Sequence, residues 1–318
     1  MPVKAPIPAR HDLARAAERL RGSVLRTPLR YSPWLSRAAG AGVYLKLETL
    51  QPTFSFKIRG ALNAVLRARE AGELPHLVTA SAGNHGRALA HAARMAGAGV
   101  TVYAPRGAPK TKLDAIRGLG AQLELCSDYD EAERLAKDAH GRDGAVFISP
   151  YSHPDVIAGA GTVGLEILDE RPDTDSIVVP VGGGGLLSGV AIAAEGRAAV
   201  LGVEAAASTA FVRGLEAGRI VEVDVQPTIA DGLAGNLDPD TITFDIVRRL
   251  VRTVVAVDEA ELRRTIASLL SEERLVAEGA GAAGAAAVSG NRLQLHGQTV
   301  AVVVSGANID NQVLRELL

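Results

Sequence analysis

The chain has 318 residues, 34 Lys and Arg against 36 Asp and Glu (net charge −2), and 47% apolar residues. At ~150 residues per domain this length suggests about two domains, with a core that needs no metal or disulfide. The charge balance excludes a basic nucleic-acid scaffold. The single cysteine, Cys126, excludes an intrachain disulfide and any multi-thiolate metal site.

No run reaches the ~18 apolar residues a membrane-spanning helix needs. Charges scattered through residues 1–25 leave no apolar stretch for secretion, so the expected address is cytoplasmic. From residue 77 short apolar runs alternate with helical patterns. Leu77 to Ala80 predicts a strand, His85 to Ala96 a helix and Gly99 to Ala104 a strand. Thr111 to Leu119 predicts a helix, Gln122 to Cys126 a strand, Tyr129 to His140 a helix and Ala145 to Ser149 a strand. Continuous apolar runs bounded by Gly or Pro suit strands buried on both faces of a parallel sheet, with one helix per crossover.

A second set begins with a helix over Asp155 to Leu168. Ser176 to Val181 predicts a strand that feeds four glycines, followed by a helix over Leu186 to Glu195. Val200 to Val203 and Thr253 to Val257 read as strands. Asp258 caps a helix whose apolar positions Leu262, Ile266, Leu269 and Leu270 share one face. Gly279 to Val288 is Gly, Ala and one Val, which predicts a helix packed too closely for larger side chains rather than a linker. Thr299 to Val304 is the last strand and Ile309 to Leu317 a terminal helix. The expected class is α/β with two sheets.

Four clusters could carry chemistry. Lys57, between Phe56 and Ile58, would be partly buried, and a neutral amine there could hold an aldehyde as a Schiff base. A lysine snorkelling beside a helix start is the bland alternative. Ser81-Ala82-Gly83-Asn84-His85-Gly86 opens a helix whose amides could bind a carboxylate, or simply places a cap at Ser81 or Asn84. Gly182, Gly183, Gly184 and Gly185 follow a strand and precede a helix, as a backbone cup for a phosphate would. The Gly-x-Gly-x-x-Gly frame fails at Leu187 and Ser188, which disfavours a dinucleotide. Ser305, beyond the last strand, lies where α/β sheets meet their ligands, although Ser305 or Asn308 could also cap a helix. Lysine, phosphate cup and small polar groups together match pyridoxal 5′-phosphate.

These residues resemble the fold-type II pyridoxal-phosphate enzymes, specifically the threonine/serine dehydratase and serine racemase group. The resemblance runs through Arg26-Thr27-Pro28-Leu29, Lys46-Leu47-Glu48, the Gln51 to Ala61 stretch and Ser81 to Gly86. It continues through Val156 to Gly159, the four glycines, Thr228 to Gly232, Glu278 to Gly281 and Ser305 to Asn308, so it covers nearly the whole chain. It implies a tryptophan synthase β-like fold of two domains, each with a mainly parallel sheet flanked by helices. The large cofactor-binding domain would comprise residues 1–70 plus 152–318 and the small domain 71–151, usually in a homodimer. It further implies Lys57 as the Schiff-base lysine, Phe56 against the cofactor ring and Asn84 on the ring hydroxyl. Gly182 to Gly185 would hold the phosphate, Ser305 would face the pyridine nitrogen, and Ser81, Asn84 and His85 would surround the substrate carboxylate.

The implied activity is elimination of water from a β-hydroxy-α-amino acid of the L-threonine or L-serine type, giving a 2-oxo acid and ammonia. Removal of water from 3-hydroxyaspartate or phenylserine, racemisation of serine, or catalytically silent binding are the alternatives. Three positions depart from the group's patterns. Glu204 matches one acid of a divalent-cation site, but Ala210 stands where the second is expected, so no metal is expected. Ser152 replaces an aspartate common in bacterial threonine dehydratases. Ala82 replaces the serine that delivers the second proton in the racemases, so elimination should dominate inversion.

Overall fold

The computed structural model describes residues 5–72 and 74–317. Two sheets carry the architecture. The larger has six strands, β1 (Leu29–Tyr31), β2 (Gly42–Leu47), β7 (Ser176–Pro180), β8 (Ala199–Ala205), β9 (Thr253–Val257) and β10 (Thr299–Val304), in the order β1-β2-β10-β7-β8-β9. The smaller has four, β3 (Leu77–Ala80), β4 (Val100–Pro105), β5 (Gln122–Cys126) and β6 (Val146–Phe147), in the order β5-β4-β3-β6. All pairings are parallel except β1 with β2. The fold is the α/β, tryptophan synthase β-like arrangement, with helices flanking both sheets.

The strands found in sequence lack a two-residue period because both of their faces are covered. Every residue of β3 and of β7 is buried. The edge strand β5 instead leaves Gln122, Glu124 and Leu125 exposed. Parallel pairing of β10 with β7 sets Val302 opposite Val178, so the carboxyl ends of the two strands lie side by side. That register brings Ser305 next to the four-glycine turn, at the sheet edge where α/β folds bind ligands.

Differences from the sequence reading are local. The region before residue 77 holds β1, β2 and three α-helices, none of which the apolar runs disclosed. β2 escaped because Lys46, a charged residue, sits fully buried within it. The strand expected over Ala145 to Ser149 shrinks to Val146–Phe147, and the last helix begins at Asn311 instead of Ile309.

The Gly279–Ser289 helix, by contrast, is the tight packing its composition suggests. A Cβ at Gly279 would lie 2.4 Å from the Ile229 carbonyl oxygen, and one at Gly281 2.3 Å from that of Gly306. Backbone meets backbone there, and the linker reading fails.

Candidate active site

Lys57 opens the Lys57–Glu70 helix, and the loop before it is clamped to the segment after β10. Phe56 N–H donates to the Ser305 carbonyl at 3.0 Å, Ala307 N–H donates to the Phe54 carbonyl at 2.9 Å, and Ser55 bridges Gly306. The turn needs a left-handed residue, and Phe54 fills it at φ 58°. A phenylalanine is strained there. Lys57 Nζ lies inside, donates to the Pro150 carbonyl at 2.8 Å and sits 5.2 Å from the centre of the half-buried Phe56 ring. The snorkelling alternative is therefore excluded. Burial lowers the ammonium to about 8, against the pull of the Glu278 carboxylate. A lysine so placed exchanges protons near neutrality.

Two residues along, Arg59 anchors the same helix in a buried charge cluster. Its guanidinium donates to Glu48 at 2.7 and 2.8 Å and to Glu166 at 2.6 and 2.9 Å. Lys46 Nζ completes the set, donating to Glu166 and to the Thr27 carbonyl, both at 2.6 Å. Lys46, Glu48 and Arg59 have no exposed surface. Burial pushes the Glu48 carboxyl up, but Arg59 and the Thr27 hydroxyl outweigh it and hold the group below the ordinary carboxylate range. Sequence reasoning missed this cluster. The signal available was Lys46 and Glu48 on either side of Leu47, flanked by apolar residues.

The Asn84–Ala96 helix carries the second group of residues. Gly83 is its N-cap, so neither Ser81 nor Asn84 caps it, and Ser81 Oγ accepts the Gly83 N–H at 3.2 Å. The first-turn amides of residues 84–86 have no acceptor within a helix and open towards an anion. Asn84 Nδ2 donates to Glu278 Oε1 at 2.6 Å, and its Oδ1 accepts from Asn308 Nδ2 at 2.6 Å. An amide nitrogen has two hydrogens, so one remains for a ligand. Burial raises the Glu278 carboxyl to about 7, helped by Asp231 and opposed by the bond from Asn84. Glu278 was legible only as part of a glycine-rich motif; its contact with Asn84 emerges from the fold.

The His85 side chain turns into the interior. Its imidazole is buried, its Nε2 lies 3.2 Å from the Ile148 carbonyl, and burial lowers it to about 3. The ring is neutral, and the residue can offer an anion only its backbone N–H.

Gly182 to Gly185 lie at the end of β7 and lead into the Gly185–Ala194 helix. The amides of residues 182–187 have no partner among the described residues. Side chains are excluded on steric grounds: a Cβ at Gly183 would lie 2.3 Å from the Tyr151 ring, and Gly184 has φ +88°. Ser305 is buried beside these glycines. Thr53 Oγ1 and Ser55 Oγ are likewise buried and have no partner among the described residues. An amine, an amide cup and unused hydroxyls converge on one place, a donor set that fits a phosphorylated aromatic aldehyde.

Links across the cleft tie the smaller sheet's elements to the larger body. Arg87 Nη1 donates to Asn308 Oδ1 at 2.6 Å, Lys137 pairs with Asp238 at 2.5 Å, and Lys112 pairs with Asp231. A cleft of about 120 Å³ lies between them, lined in part by Ala82, Asn84, Arg87, Thr111 and Asn308. Glu204 accepts the amides of Phe211 and Val212 at 2.8 and 2.9 Å, and burial raises its carboxyl to about 7. Among the described residues no three His, Cys, Asp or Glu gather as metal ligands would, and no helix is long and apolar enough to cross a membrane.

Comparison with known proteins gives the same cofactor. The chain is 43% identical over 311 residues to an L-threonine ammonia-lyase of Thermotoga maritima, covering 96% of this chain and 77% of the relative. It is 37% identical to an L-threo-3-hydroxyaspartate ammonia-lyase of a Pseudomonas species, covering 97% and 98% of the two chains. The structure of maize serine racemase superposes with a TM-score of 0.92 at 31% identity, covering 98% of this chain and 97% of that one. Residues 20–306 match the family described as pyridoxal-phosphate dependent enzymes. With that match spanning the lysine, the glycine cup and Ser305, the chain belongs to the pyridoxal-phosphate dependent enzyme family.

Proposed function

We propose that the protein is an ammonia-lyase of the threonine/serine dehydratase type. It removes water from a β-hydroxy-α-amino acid and yields a 2-oxo acid and ammonia. The observation that carries this reading is Lys57: an interior amine near 8, bonded to a carbonyl and to no carboxylate, which can act as a base.

Residues Phe56, Lys57, Asn84, Gly182 to Gly185 and Ser305 would hold the cofactor, with Lys57 facing its aldehyde and the glycine amides its phosphate. When bound, pyridoxal phosphate supplies an electron sink that makes the α C–H bond acidic. Ser81 and the backbone amides of Asn84 and His85 bind the substrate carboxylate. Lys57 accepts the α-proton and passes a proton to the β-hydroxyl, which departs as water. Hydrolysis by a second water then releases ammonia and leaves the 2-oxo acid. Ser305, a neutral hydroxyl, would meet the ring nitrogen without adding charge. Glu278 orients Asn84. Ala82 offers a methyl group where inversion would need an acid, which favours elimination over racemisation.

The architecture is read as a large domain of residues 1–70 plus 152–318 and a small domain of 71–151, closed by the Lys112, Lys137 and Arg87 links. The assembly is read as a cytoplasmic homodimer. Exposed Leu25, Leu50 and Phe54, tied together around Gln51, supply apolar surface for a second copy.

The test is a panel of L-serine, L-threonine, L-threo-3-hydroxyaspartate and phenylserine, scored for 2-oxo acid and ammonia. Equimolar release of both from L-threonine or L-serine is expected. Release of neither by cofactor-loaded protein would overturn the reading.

A further inference from the structure

We propose that Thr243, which touches neither the lysine nor the cleft, is a positioning residue that aims the glycine cup at the cofactor phosphate. The inference rests on the reading of Gly182 to Gly185 as the phosphate holder and adds the residue that sets their orientation.

The geometry is directional. Thr243 Oγ1 lies 2.8 Å from the Gly183 carbonyl oxygen. A carbonyl only accepts, so the threonine hydroxyl must donate. Thr241 Oγ1 lies 2.8 Å from Thr243 Oγ1. With the Thr243 hydrogen committed, Thr241 is the donor of that second bond, and its own oxygen accepts Thr243 N–H at 3.2 Å. The chain therefore runs one way, from Thr241 through Thr243 to Gly183. Both threonines are fully buried.

The consequence lies in the next peptide group. In a trans peptide the carbonyl of one residue and the N–H of the next point in opposite directions. Holding the Gly183 carbonyl against Thr243 turns the Gly184 N–H to the far side of the loop, away from the threonine. Thr243 also fills the space behind that turn: a Cβ at Gly184 would lie 2.9 Å from Thr243 Cβ. The left-handed Gly184 then leads directly into the first-turn amides of the Gly185–Ala194 helix. One hydroxyl thus fixes the peptide where the strand amides hand over to the helix amides.

The hydroxyl of Thr243 does not serve its own helix. The residue begins the Thr243–Leu250 helix, whose N-cap is Ile242 and which has no side-chain cap. As the first helical residue rather than the N-cap, Thr243 is not in the position whose hydroxyl serves the helix's own amides. Here the hydroxyl instead reaches a carbonyl 60 residues away in sequence. On the other side the Tyr151 ring lies against Gly183, and its hydroxyl accepts the Asp238 N–H at 3.1 Å. The Gly183 peptide is held from both faces, but only Thr243 determines which way its dipole points.

The test compares Thr243→Val, which exchanges the hydroxyl for a methyl of similar size, with Thr243→Ser, which keeps it. Apo-protein of each is titrated with pyridoxal 5′-phosphate and with unphosphorylated pyridoxal, followed by absorbance, and unfolded thermally without ligand. Loss of one net hydrogen bond predicts about tenfold weaker binding of the phosphate form by Thr243→Val. Pyridoxal binding should be unchanged, and Thr243→Ser should restore the wild-type value. Equal affinity of Thr243→Val and wild type for the phosphate form would overturn the proposal. So would equal weakening of both ligands, which would mark a merely structural role. Wild-type protein that binds pyridoxal as tightly as its phosphate would instead overturn the phosphate-cup reading itself, together with this proposal.

Discussion

Replacing Arg59 with methionine should destabilise the protein far more than loss of a surface ion pair, because of what remains behind. The cluster holds two cations, Lys46 and Arg59, and two carboxylates, Glu48 and Glu166, so it is neutral as it stands. Arg59→Met leaves Glu48 buried with hydrogen bonds from Thr27 and Gln51 but without its direct cation. Breaking a buried pair from one side costs about 3–5 kcal/mol. At an unfolding entropy of about 2.1 cal/mol/K per residue, that lowers Tm by roughly 5–8 °C for a chain of this length. The double variant Glu48→Leu/Arg59→Met removes both opposite charges and should recover at least about 2 kcal/mol of the loss, since no unmatched charge stays inside. The pH dependence adds a second readout. Glu48 is held below its unfolded value of 4.5, so its stabilisation is present above that pH and is lost as pH falls through the folded value. The cost of Arg59→Met should therefore be largest above that pH and shrink as acid protonates the unpaired Glu48. Denaturant titration of the apo-proteins at pH 7 and across the acid range measures all of this. A loss under 1 kcal/mol for Arg59→Met, or strict additivity in the double variant, would refute the reasoning.

Three other outcomes are expected. Because Lys57 titrates near 8, its neutral amine predominates above that pH, and acylation of apo-protein at Lys57, located by mass spectrometry, should rise through about pH 8; a rise only above pH 10 would contradict it. Ala82→Ser should increase the D-serine formed from L-serine relative to pyruvate, measured by chiral chromatography, since a positioned acid–base group is worth ~10²–10⁴-fold; an unchanged ratio would count against Ala82 as the limiting position. Chelation should leave turnover nearly unchanged, because both Glu204 oxygens already accept helix amides; a large loss restored by magnesium would show otherwise.

Sequence disclosed those parts of the molecule whose physics is local. The runs at Leu77, Ser176 and Thr299 are apolar because both sheet faces are covered, and that shows in composition. Asp258 and Glu261 form the reciprocal cap that their spacing allows. Lys57 and the four glycines stood out because each is costly unless used. What stayed hidden depends on distant chain segments meeting. Lys46 looks like a surface lysine until Glu166 arrives from 120 residues away. Glu278 gains its contact with Asn84 only once the two sheets are assembled, and Thr243 its contact with Gly183 only once segments 60 residues apart meet. The inward turn of the His85 ring was equally hidden, for a different reason. A helix start can bind through its backbone, so a polar residue there may turn its side chain into the core.

The Gly279–Ser289 helix also bears on how such an enzyme can change. Its spacing from the 305–306 segment is set by peptide groups in contact, as at Gly281 against the Gly306 oxygen, so no rotamer adjustment can absorb a larger residue. The helix therefore acts as a fixed gauge between Glu278 and Ser305. Substitutions along it would move Glu278 and Ser305 together. Room for exchange lies elsewhere, as at Thr111 on the cleft wall, where a side chain can change without resetting the gauge.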